Sequence, residues 1–209
     1  MTVIEAFDAA FARCPLIAIL RGVKPDEVEA IGDALVDAGF GLIEVPLNSP
    51  EPFESIGLLA KRFEGRAVIG AGTVMRVADV AGVHAVGGRM IISPNANPAV
   101  IAASAAAGLV SLPGVATPTE AFAALDAGAT ALKLFPAEGS SPAVLKAMRA
   151  VLPRDLRLLP VGGVSPDNMA PWLAAGAAGF GLGSALYKPG MGADEVGANA
   201  RGFVAALGG

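Results

Sequence analysis

Eight short apolar, β-rich runs recur along this sequence at nearly even spacing, with helical stretches between them. They cover residues 16–20, 42–46, 67–71, 90–93, 109–112, 131–134, 156–161 and 179–182, so successive starts lie 19–26 residues apart. That interval is the length of a strand, its loop and a crossover helix. The runs are almost continuously apolar rather than alternating, as strands become when helices cover one side and core fills the other. The stretches between them are rich in Ala, Leu, Glu and Lys. Pro25-Asp26-Glu27 opens one of these with a proline and acids in its first turn, and Gly39 closes it. Gly128 and Gly176 end two others in the same manner. Eight such units in 209 residues predict an α/β fold, a (β/α)8 TIM-type barrel with an extra N-terminal helix, in one domain spanning 1–209. A doubly wound open sheet is the rival, but no G-x-G-x-x-G follows the first run.

Composition narrows the function. The net charge is −4 and the sequence pI near 5.0, which argues against a nucleic-acid or anionic-membrane footprint. No apolar run reaches the ~18 residues needed to span a bilayer. The N-terminus carries acids where a secretory signal carries bases, and a cytoplasmic protein is expected. A single cysteine, Cys14, excludes an internal disulfide and a multi-cysteine metal cluster, and reads as a small buried residue. His84, the only histidine, is expected at the surface, and Met169 and Trp172 in packing. With no other histidine and no clustered acids to bind one, no metal is expected. A charged fraction of only 16% beside 54% hydrophobic residues suggests apolar surface buried between subunits.

Barrel chemistry sits at the C-terminal ends of the strands, so the informative residues are the polar ones that interrupt apolar runs there. Lys133, between Leu132 and Leu134, is the foremost. Desolvation disfavours its ammonium, and a neutral amine attacks ketones to form imines. Its bland alternative is a structural ion pair with Glu44. Glu44, in Leu42-Ile43-Glu44-Val45-Pro46, is placed to move protons if shielding raises its pKa toward neutrality. Arg21, one residue past the first run, offers a planar fork of donors to a carboxylate, and Thr73 a hydroxyl. Gly162-Gly163 and Gly183-Ser184 follow the last two runs, where phosphate sites gather in such barrels. Phe135 and Pro94 are expected to supply an apolar wall beside the lysine.

Taken in order, Leu16-Ile17-Ala18-Ile19-Leu20-Arg21-Gly22, Glu44-Val45-Pro46-Leu47-Asn48-Ser49-Pro50, Gly70-Ala71-Gly72-Thr73-Val74, Ala131-Leu132-Lys133-Leu134-Phe135-Pro136 and Val161-Gly162-Gly163-Val164 form a set. The set closely resembles the bacterial 2-keto-3-deoxy-6-phosphogluconate and 2-keto-3-deoxy-6-phosphogalactonate aldolases over almost the whole chain. The resemblance implies a (β/α)8 barrel, a homotrimer, and cofactor-free cleavage to pyruvate and D-glyceraldehyde 3-phosphate. It also implies Lys133 as imine former and Glu44 as general acid/base. Two positions depart from the phosphogluconate branch, which resembles Glu-Val-Thr-Leu-Arg-Thr at the second run and carries threonine before the Gly-Gly turn. Here those positions hold Asn48 and Val161, as in the phosphogalactonate branch. The substrates differ at C4, and a lost hydroxyl beside that carbon bears on selection. Without the branch arginine, Arg21 becomes the candidate for the substrate carboxylate. The phosphogluconate and 4-hydroxy-2-oxoglutarate activities stay open as alternatives. So do a phosphosugar isomerase and a non-catalytic phosphate-binding barrel.

Overall fold

The structure, a computed structural model, describes residues 1–208. Nine strands lie in two parallel sheets. They are β1 (Leu16–Ile19), β2 (Leu42–Pro46), β3 (Val68–Gly72), β4 (Met90–Ile92), β5 (Val110–Leu112), β6 (Gly114–Val115), β7 (Leu132–Leu134), β8 (Leu158–Pro160) and β9 (Phe180–Leu182). The larger sheet runs β5-β4-β3-β2-β1-β9 and the smaller β6-β7-β8. Helices α1 (Val3–Arg13), α2 (Pro25–Asp37), α3 (Pro52–Arg62), α4 (Val77–Ala85), α5 (Pro98–Ala106), α6 (Pro118–Asp126), α7 (Pro142–Arg149), α8 (Met169–Ala174) and α9 (Ala193–Leu207) complete the α/β alternation.

Each of the eight expected runs contains a strand, and one of them is followed by a second. Pro113 has no N–H to give to a ladder, so the strand breaks there, and Gly114–Val115 pairs with β7 rather than with β4. Hydrogen bonds link the two sheets on both sides. Thr130 N donates to Ser111 O, Lys133 N to Pro113 O, and Ala178 N to Leu158 O, while Val161 bridges to Gly181.

The helices start where the sequence provides for it. Five have proline in the first turn, where a missing N–H costs nothing. Thr2 with Glu5 and Thr117 with Glu120 form reciprocal capping boxes, each side chain accepting from the other residue's N–H.

Strand side chains fall into two sets with period two. Leu16, Ala18, Ile43, Val45, Ile69, Ala71 and Ile91 point outward into the helix-covered core. Ile17, Leu42, Val68, Met90, Ile92, Val110, Leu112, Ala131 and Leu159 pack together on the inner face, with Phe7, Ala10 and Phe11 of α1 against them. Helix α1 therefore closes the N-terminal end of the strands. Glu44 and Lys133 share the inward phase, each two residues beyond an inner apolar residue, Leu42 and Ala131. The sheet register thus delivers both polar side chains to the same interior, toward the open end.

Candidate active site

Glu44 and Lys133 are buried, with 2% and 6% of their surface exposed. They share an inner lining with Ile17, Ile19, Ile92, Leu112, Leu159 and Val161. Gly72 makes the space for Glu44: a Cβ there would coincide with the carboxylate, so β3 carries no side chain at that point. Glu44 Oε2 is buried with no hydrogen-bond partner. No ion pair within 4.0 Å joins Glu44 to Lys133 among the described residues, so a closed structural salt bridge is not what this pair forms.

Burial governs both groups. It pushes the Glu44 carboxyl from 4.5 up to about 7, against the opposing pull of Lys133 and then Arg21. It pushes the Lys133 ammonium below its usual range, against Glu44 and with help from the positive Arg21. The Lys133 amine lies 4.4 Å from the centre of the Phe135 ring. A carboxyl balanced between its two forms at neutral pH, beside an amine inclined to lose its proton, suits imine chemistry and proton transfer.

Above this pair opens a cavity of about 270 Å3. Arg21, Lys133, Phe135, Val161, Gly162, Gly163, Gly183 and Ser184 all line it, so the structure gathers most of the residues singled out in the sequence. Gly162 and Gly163 have φ of 111° and 64°, a succession that only glycine adopts without strain and that turns the backbone at the cavity edge. Thr73 follows Gly72 and holds a φ of 57°, a costly conformation for a β-branched residue, at the end of the strand that faces Glu44. Thr73 and Pro94 do not line the cavity; Pro94 instead packs its backbone against Gly114. Asn48 is exposed and accepts a hydrogen bond from Arg21.

Three further polar residues line the cavity that the sequence did not single out. Glu138, five residues beyond Lys133, lays its carboxylate against the α-carbons of Gly162 and Gly163. Lys188 adds a cation beside Ser184, and Tyr187 donates its hydroxyl to Glu27 at 2.9 Å. Burial and that acceptor hold the phenol far above its usual range. The signal for Lys188 was present as a cation shortly after the Gly183-Ser184 turn.

His84 is exposed on α4, while Met169 and Trp172 are buried in the core. Cys14 is buried, which raises its thiol pKa. No helix among the described residues is long and apolar enough to cross a membrane. A wider groove of about 680 Å3 lies at the opposite end, between α1 and the last turns of α3 and α4. Its three arginines serve the fold: Arg13 donates to Ala9 O, Arg89 to His84 O and Gly88 O, and Arg66 lies over the Phe63 ring. Its one acid, Glu64, is exposed.

The model of the family "KDPG and KHG aldolase" matches residues 7–197. A probable 2-dehydro-3-deoxy-6-phosphogalactonate aldolase of Rhizobium meliloti (strain 1021) is 54% identical over 182 residues, covering 87% of this chain and 86% of its own. The 2-dehydro-3-deoxy-6-phosphogalactonate aldolase of Escherichia coli (strain K12) is 46% identical over 194 residues, covering 93% and 95%. A solved structure described as native KDPGal superposes with a TM-score of 0.92 at 46% identity, over 93% of this chain and 95% of that one.

Proposed function

The chain belongs to the KDPG and KHG aldolase family, and on that premise we propose that it cleaves 2-dehydro-3-deoxy-6-phosphogalactonate to pyruvate and D-glyceraldehyde 3-phosphate. It is an aldolase, hence a lyase, and the proposed route is the class I route through Lys133. The observation that carries this is the buried pair: a lysine whose amine is pushed toward neutrality and a carboxyl titrating at about 7, sharing one inner lining from which Lys133 reaches the cavity above.

The neutral Lys133 amine attacks the C2 ketone, and Glu44 shuttles the protons by which the carbinolamine loses water. The protonated imine then accepts the electron pair of the C3–C4 bond as Glu44 removes the C4 hydroxyl proton. Glyceraldehyde 3-phosphate leaves, Glu44 returns a proton to C3 of the enamine, and water releases pyruvate. The substrate phosphate rests on the Gly162-Gly163 and Gly183-Ser184 turns, whose backbone N–H groups suit an anion. Arg21 and Thr73 take the carboxylate, and Phe135 and Pro94 the apolar side of the pyruvyl unit. Val161 and Asn48 bear on the choice at C4.

A second reading of Arg21 has its own support. It lines the cavity together with the glycine turns and Lys188, whereas Thr73 and Pro94 do not, which favours an encounter with the phosphate.

The fine architecture belongs to the same proposal. The hydrogen bonds between the two sheets support one closed (β/α)8 ring with α1 across its base, and the whole chain as one domain. A cytoplasmic homotrimer is the assembly proposed, supported by the low charged fraction of 16%.

Pyruvate release from the phosphogalactonate and phosphogluconate substrates in parallel, coupled to lactate dehydrogenase, tests the reaction. Borohydride added with pyruvate is expected to attach the three-carbon unit to Lys133. An unmodified Lys133 would sink the imine route, and isomerisation without pyruvate would favour the isomerase reading.

A further inference from the structure

Two adjacent hydrogen bonds join the loops that follow β1 and β2. Arg21 Nη1 donates to Asn48 Oδ1 at 2.7 Å, and Gly22 N donates to Ser49 Oγ at 2.9 Å. Ser49 is buried, while Asn48 and Arg21 are exposed. The inner bond is therefore part-buried, and the outer one is exposed where Arg21 reaches the cavity lining. On its far side Gly22 lies against Pro189, the neighbour of Lys188 in the cavity wall. The turn that carries Arg21 is thus held by two other loops of the same mouth.

We propose that Asn48 and Ser49 are positioning residues for Arg21: Ser49 fixes the turn, and Asn48 holds the guanidinium over the mouth to receive a substrate anion. Asn48 then acts on substrate binding through Arg21 and not by contact with C4. The inference rests on the aldolase reading above and refines the role of one residue within it. The chemistry of the pair supports it. An exposed arginine is otherwise free to sample many rotamers, and ordering it before substrate arrives removes that cost from binding. An amide oxygen holds the guanidinium without adding charge. An aspartate in its place would hold it as well but would offset the charge the substrate needs. One Nη1–H is used by Asn48, and the fork has further donors for a carboxylate or a phosphate.

Asn48→Ala, Arg21→Ala and the double variant are assayed with the phosphorylated keto-acid substrate, beside the parent. Asn48→Ala is expected to raise KM about 5- to 20-fold with kcat within about twofold, the signature of lost binding rather than lost chemistry. In the Arg21→Ala background the same change is expected to alter KM by less than about twofold, because the residue it positions is gone. Ser49→Ala is expected to show a smaller rise in KM that also vanishes in that background. Effects of Asn48→Ala that multiply with those of Arg21→Ala would overturn the proposal, as would an unchanged KM or a loss confined to kcat. A parent that releases no pyruvate would overturn the aldolase reading and this inference with it. Asn48 is exposed, so the variant is expected to keep the parent's thermal midpoint, and that is checked first.

Discussion

The site has two regions built on opposite principles. The reacting pair consists of two side chains inside strands, fixed by sheet register and shielded from water. The mouth consists of loops, turned by glycines and lined with exposed ionic side chains such as Arg21, Glu138 and Lys188. In the interior, desolvation is the dominant cause of the shifts at both Glu44 and Lys133, and it exceeds the attraction between them at the carboxylate. At the mouth, solvent screens individual charges, so affinity there depends on geometry and on several groups acting together. The interior is therefore where a single substitution should remove chemistry, and the mouth where it should only weaken recognition.

The largest test of that division is Lys133→Ala. Without the amine no imine forms, and kcat is expected to fall on the order of 10⁴-fold or more while the protein still folds. Near-parental turnover in clean protein would erase the distinction between the two regions. Glu44→Gln comes next, with a loss of roughly 10²–10⁴-fold in kcat, since it removes the proton carrier and leaves the imine former. In the parent, kcat/KM is expected to rise with pH through about 7, as Glu44 becomes the base, and the variant should lose that limb.

The same carboxyl affects stability, and the sign is fixed by the direction of its shift. Its folded value of about 7 lies above its ordinary 4.5, so the folded protein holds the proton more tightly. The contribution to stability is complete below 4.5 and is lost as pH rises through 7. Its size is on the order of 3 kcal/mol, at 1.36 kcal/mol per pKa unit. Denaturant unfolding at pH 5 and pH 8 should therefore find Glu44→Gln gaining on the parent at the higher pH. A constant difference between them would mean that Glu44 is better solvated than its burial implies.

The same contrast explains what could be read from the sequence. Glu44 and Lys133 were legible because a charged residue inside an apolar strand is costly wherever the strand lies, and strand periodicity places both on one face. The eight runs were legible for a similar reason, since apolar content and spacing are local properties. Pro113 hid the second half of one run: a proline removes the ladder donor but leaves the chain free to pair again at Gly114. The bond from Arg21 to Asn48 spans 27 residues of sequence, and nothing local at either residue specifies it. Glu138 was hidden likewise, because its position matters only after folding brings it against Gly162 and Gly163. Thr73 was found as a polar residue at a strand end, but its left-handed backbone is visible only in the fold.

At the mouth, Arg21→Ala is expected to raise KM about 10- to 100-fold with little change in kcat, as the loss of a charge-assisted contact would. The choice of substrate sharpens this into a decision. If Arg21 meets the carboxylate, the variant loses binding equally toward the phosphorylated substrate and its dephosphorylated counterpart. If it meets the phosphate, only the phosphorylated compound suffers.

The smallest effect belongs to Val161, which stands between the two regions. It is buried, lines both the interior beside Lys133 and the cavity above it, and bridges to Gly181 at a point where a Cβ would lie 2.7 Å from Val161 Cγ2. Threonine has nearly the same shape, so Val161→Thr should leave kcat for the preferred substrate within a few-fold while placing a hydroxyl near the reacting carbons. A hydroxyl that bonds one C4 epimer and not the other is worth about 1–2 kcal/mol, so the phosphogalactonate to phosphogluconate ratio of kcat/KM should move roughly 5- to 30-fold toward the gluconate compound. A ratio that stays fixed would locate the discrimination in the loops. Val161 would then belong to the interior, as packing beside Gly181, and selection at C4 would fall to the same exposed groups that set affinity.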